Sequence, residues 1–75
     1  MTYSLVIKAR TSTEARRAAE DRGIHLDRAF SNLLDEVIAS ADVSLDQLQR
    51  WSDESDGRVP PYPYGTLVQF DELDR

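Results

Sequence analysis

The segment from Leu26 to Ala41, LDRAFSNLLDEVIASA, places the tightest constraint on what this chain can fold into. Leu26, Phe30, Leu33, Leu34, Val37, Ile38 and Ala41 recur at the three-and-four spacing of one helix face. At about 100° per residue they fill an arc of roughly 140°. Arg28, Asn32, Asp35 and Ala39 point the opposite way, and Asp27, which would fall inside the apolar arc, suits an N-cap. The spacing predicts a central amphipathic helix that serves as a buried spine. Such a helix is not stable alone and needs a sheet, other helices or a second subunit to cover its apolar face.

The flanking segments supply those covers. Tyr3 to Arg10 alternates as a strand, with Tyr3, Leu5, Ile7 and Ala9 on one face and Ser4, Lys8 and Arg10 on the other. Val6 interrupts the alternation, which indicates that part of the second face is covered as well. Thr11 and Glu14 form a capping box that opens a helix. Ala15, Ala18 and Ala19 give this helix a small, flat inner face, and Arg16–Glu20 and Arg17–Asp21 are i,i+4 pairs on its outside. Gly23 is placed to end it, with Ile24 packing back on Ala19. Ser44 and Gln47 form a second capping box, and Val43 and Leu48 a hydrophobic staple. They open a third helix running from about Leu45 to about Asp53, with Trp51 sealing the core against the central helix. Tyr62 and Tyr64 fall in line with Thr66, Val68 and Phe70, and that alternation runs into a second strand from Gly65 to Asp71. The expected fold is α+β: a single small domain, residues 1–75, in the order strand, helix, helix, helix, strand. Its two-stranded sheet packs on the central helix, an arrangement marginal for the strands.

Chemistry-bearing motifs are scarce. Ser52 to Gly57 resembles a calcium loop only until Gly57 is set at loop position six, which puts Pro63 where a bidentate Glu is required. His25, the sole histidine, has Asp27 close in sequence, but nothing else suggests a triad, and a turn histidine with a solvent or backbone partner accounts for it. Asp35 and Glu36 are adjacent on the expected helix and diverge, so they do not pair across a cleft. No nucleophile elbow and no Gly-rich phosphate loop is present. Three prolines between Val59 and Tyr64 force an extended path. Pro60 and Pro63 match P-x-x-P, but a stiff connector laid over the core accounts for them. The chain is read as non-enzymatic, with no cofactor and no metal.

Charge is the strongest functional signal. Residues 1–28 carry six bases against four acids, and residues 29–75 carry three bases against ten acids, for a net charge of −5. A nucleic-acid reader would show a surplus of bases and a recognition motif. Met1, the lack of an apolar run of membrane length and the lack of a secretory signal point to a complete, soluble, cytoplasmic chain without membrane contact. The absence of cysteine removes disulfides and thiolate metal sites. The leading expectation is a protein–protein interaction module, an inhibitor or adaptor presenting acidic side chains to a basic partner surface. Its candidate contacts are Asp53, Glu54 and Asp56, with Asp35, Glu36, Asp42 and Asp46 near them and the aromatics Tyr62 and Tyr64. The rival expectations are a small regulatory or structural homo-oligomer and a weak nucleic-acid binder using the basic N-terminal third.

A very short, acidic, cysteine-free chain without an enzymatic motif resembles the phage-encoded inhibitors of bacterial defence, the anti-CRISPR proteins above all. The resemblance rests on size, charge and the acidic 42–56 region, and that class shares no motif from which residue roles could be carried over. It implies a CRISPR surveillance complex subunit as partner and the host cytoplasm as location.

Overall fold

The computed structural model describes residues 1–32, 34–56 and 65–73. Their elements are β1 (Thr2–Lys8), α1 (Ser12–Asp21), β2 (Leu26–Ser31), β3 (Glu36–Asp42), α2 (Leu45–Asp56) and β4 (Thr66–Glu72). The four strands form one antiparallel sheet in the order β2-β3-β1-β4. This is the split β-α-β arrangement of ferredoxin-like topology. Inward residues of the strands (Tyr3, Leu5, Ile7, Leu26, Val37, Ala39, Ala41, Leu67) share one core with Ala15, Ala18 and Ala19 of α1 and Leu48 and Trp51 of α2. Both helices therefore cover the same face of the sheet, and the opposite face is bare among the described residues.

The expected central helix and two-stranded sheet are overturned: Leu26 to Asp42 is a β-hairpin, and the sheet has four strands with two helices. Three local features select the strand. Val37, Ala39 and Ala41 point inward while Glu36, Ile38 and Ser40 alternate with them at period two. Asn32 Oδ1 accepts the Leu34 N–H at 2.9 Å, an Asx turn, and Asp35 adopts φ 55°, a left-handed conformation that Asp tolerates better than most residues. The decisive term is pairing. Strand β1 lies between β3 and β4 with both its edges hydrogen-bonded, which a two-stranded sheet could not achieve. Phe30, which the helix reading would bury, is 60% exposed. Trp51 consequently packs against the sheet side of the core and not against a central helix.

The capping signals hold. Thr11 Oγ1 accepts the Glu14 N–H at 3.2 Å, and Glu14 turns back to the Arg10 N–H instead of its own cap. At the other end of α1 the Ile24 N–H donates to the Ala19 carbonyl and the Gly23 N–H to that of Glu20, both at 2.9 Å. With Gly23 at φ 75° this is a complete Schellman ending. Ser44 Oγ accepts the Gln47 N–H at 3.3 Å at the start of α2, with Val43 and Leu48 buried as the staple. Helix α2 runs to Asp56, three residues further than expected from the sequence. Its last turn is tied to β4 by Ser55, whose Oγ donates to the Trp51 carbonyl at 3.0 Å and accepts the Leu67 N–H at 3.1 Å. Ser55→Ala removes the acceptor and leaves a buried N–H unmatched. A loss of about 1–3 kcal/mol in urea unfolding is expected, and a loss below about 0.5 kcal/mol would show that the bridge carries little.

Candidate functional site

The acidic residues expected to bind a partner do not form one face. Asp35 lies in the β2–β3 turn and Glu36 opens β3, whereas Asp42 closes β3 and Asp46 sits in the first turn of α2. Six residue steps of strand separate Glu36 from Asp42, about 20 Å. Asp53 and Glu54 lie in the last turns of α2, which runs back toward the Glu36 end. Asp42 accepts the N-terminal ammonium at 2.7 Å, and Glu54 accepts Arg22 Nε at 3.2 Å. Asp56 ends α2. Tyr62, Tyr64 and the proline connector lie outside the described residues. What the fold does bring together is the exposed flank of α2: Asp46, Gln49, Arg50 and Asp53 follow one another at helical spacing on the solvent side. Arg22, Gln47, Arg50, Trp51, Asp53 and Glu54 border a concavity of about 590 Å³ beside it. The Arg22 guanidinium lies 5.0 Å from the Trp51 ring centroid, a cation–π contact that fixes the arginine against Glu54.

The second feature, missed by the helix reading, is the bare sheet face. Cross-strand register aligns Phe30, Ile38, Val6 and Gln69 in one row across β2, β3, β1 and β4. A parallel row holds Arg28, Ser40, Ser4 and Asp71, and a third holds Glu36, Lys8 and Thr66. Both edge strands carry a register shift, which places the extra residues Asp27 in β2 and Val68 in β4. Such bulges twist an edge away from strand addition. Val68 is exposed beside Gln69, so the central row is apolar over most of its length. The sequence signal for this row was Val6, the residue that broke the alternation of the first strand.

His25 is exposed just after the Schellman turn. Among the described residues no group of three or more His, Cys, Asp or Glu side chains is placed to hold a metal ion, and no helix is long and apolar enough to cross a membrane. Comparison of the chain with protein-family models, with curated proteins and with solved structures finds no match.

Proposed function

We propose that this protein is a non-enzymatic protein-binding module that docks an acidic surface on a basic partner. The observation that supports this reading is where the acid excess sits. Ten of the twelve acidic residues with described side chains are exposed, and on α2 Asp53 borders the concavity while the exposed Asp46 lies two turns before it on the solvent side. Exposed acids of one sign steer a basic partner and raise the association rate, while apolar groups beside them slow dissociation. A partner surface that ordinarily holds nucleic acid has the right charge, and a subunit of a CRISPR surveillance complex is the example that the class resemblance implies. The acting residues are those of the α2 flank, since Glu36 lies on the sheet face opposite the helices and Asp35 in the β2–β3 turn.

The test starts with affinity capture from the source cells and continues with the captured partner in purified form. Asp46→Lys with Asp53→Lys leaves every ion pair described above intact. The double reversal is expected to slow association by roughly tenfold and to flatten its salt dependence. Binding that keeps its rate and its salt slope would reject the α2 flank as the docking surface.

A further inference from the structure

The bare face of the sheet is a separate surface from the α2 flank, and its side chains are arranged as their own complement. We propose that two copies of this chain pair face to face through it, about a two-fold axis that runs nearly along the strands between β1 and β3.

A two-fold axis in the plane of contact and along the strands exchanges the two halves of the sheet, so β1 faces β3 of the partner and β2 faces β4. Row by row, Arg28 then meets Asp71 of the second copy, Glu36 meets Lys8, and Ile38 meets Val6. At the ends of the apolar row Phe30 meets Gln69, with the bulge residue Val68 beside it. All four matches occur twice. A two-fold axis across the strands instead sets Ser40 against Glu36 and Asp71 against Thr66, and pairs no opposite charges. Packed sheets cross at about 30°, which tilts the axis by about 15° from the strands and shifts the edge partners by about 5 Å, a distance the long Arg28 side chain spans.

Three further observations fit a second copy. Among the described residues Lys8, Arg28 and Glu36 make no ion pair within the chain. Phe30, 60% exposed at one end of the row, and the bulge residue Val68, 53% exposed beside Gln69 at the other, are apolar groups left to water. The bulges at both edges disfavour association by strand addition and leave the face as the available surface. The face is small, roughly 20 Å by 20 Å from strand spacing and rise, and each copy carries a net charge of −5. Association is therefore reversible and governed by these local matches.

Sedimentation equilibrium of the full chain, from about 1 μM to about 1 mM, reads the result directly. The wild type is expected to reach twice its 8.5 kDa mass. Arg28 and Asp71 sit about 14 Å apart within one chain, three strand spacings, and do not reach each other there. Arg28→Asp and Asp71→Arg should each abolish the dimer, because like charges then meet at both edges. An equal mixture of the two variants should restore it, since every facing pair is again opposite. Phe30→Ala should weaken self-association by roughly tenfold. Both charged positions are exposed, and circular dichroism checks that the fold survives. If a reversal unfolds the chain, Arg28→Ala and Asp71→Ala replace it, and a dimerisation constant unchanged by both overturns the proposal. A wild type that stays monomeric throughout, single reversals that dimerise normally, or a mixture that stays monomeric also overturns it. None of these outcomes depends on the acidic partner.

Discussion

Trp51→Ala is expected to destabilise the fold by about 3–5 kcal/mol, most of the roughly 4–11 kcal/mol that a chain of this length has. Trp51 is 1% exposed and heads the fully buried side chains by volume. Its loss opens a cavity where α2, β4 and the end of α1 meet, and the backbone at that junction cannot collapse far to fill it. Two specific interactions are lost with the ring. The indole Nε1–H donates to the Gly65 carbonyl at 3.1 Å, and the ring face holds the Arg22 guanidinium at 5.0 Å. Trp51→Phe separates these contributions, since it keeps much of the volume and removes the donor. A loss of about 1–3 kcal/mol is expected for it. Trp51 is the sole tryptophan, so urea unfolding has to be followed by far-UV circular dichroism. A Trp51→Ala protein within about 1 kcal/mol of wild type would mean that the α2–β4 junction does not hold the fold together.

How far the fold was legible depends on the range of the interactions that decide each element. The caps at Thr11, Gly23 and Ser44 are closed by residues three to five positions away, and all three were readable. So was the inner strand face of Tyr3, Leu5 and Ile7, because alternation is a local pattern. The Leu26–Asp42 stretch was not, because its apolar residues satisfy both periods. Leu26, Phe30, Val37, Ile38 and Ala41 fit a helix face, while Val37, Ala39 and Ala41 fit a strand face. The choice falls to hydrogen bonds with β1, which lies some thirty residues away in sequence and whose second edge is taken by β4. Asn32 and Asp35 were the local evidence against the helix, as turn residues placed in the middle of the expected span. The acidic site was legible as a composition and not as a place. Residues near each other in sequence, Asp35 with Asp42, end at opposite ends of one strand. The bare face required the hairpin, since Phe30 and Ile38 become neighbours only through β2–β3 register.

Gly65→Ala is expected to cost about 2–4 kcal/mol, and it tests how β4 enters the sheet. Gly65 has φ 93°, and a Cβ added there would stand 2.2 Å from the Ala18 Cβ on α1. The same residue donates its N–H to the Lys8 carbonyl at 2.6 Å and accepts the Trp51 indole, so it is anchored on two sides while a third admits no atom. The left-handed backbone accounts for about 1 kcal/mol of the expected loss, and the steric conflict for about 1–3 kcal/mol. Gly23→Ala isolates the first contribution. Its φ is 75°, but the nearest atom to an added Cβ is Gln47 Nε2 at 3.5 Å, an ordinary contact with a flexible side chain. About 1 kcal/mol is expected there. The steric contribution is isolated by Ala18→Gly in the Gly65→Ala background, which removes the facing methyl. Ala18→Gly alone weakens α1 by about 1 kcal/mol, so independent effects would make the double variant the least stable of the set. Contact between the two positions predicts the reverse, a favourable coupling of about 1–2 kcal/mol in the double-mutant cycle. Zero coupling, with Gly65→Ala no worse than Gly23→Ala, would separate β4 from α1 at this point and remove the geometric reason for a glycine there.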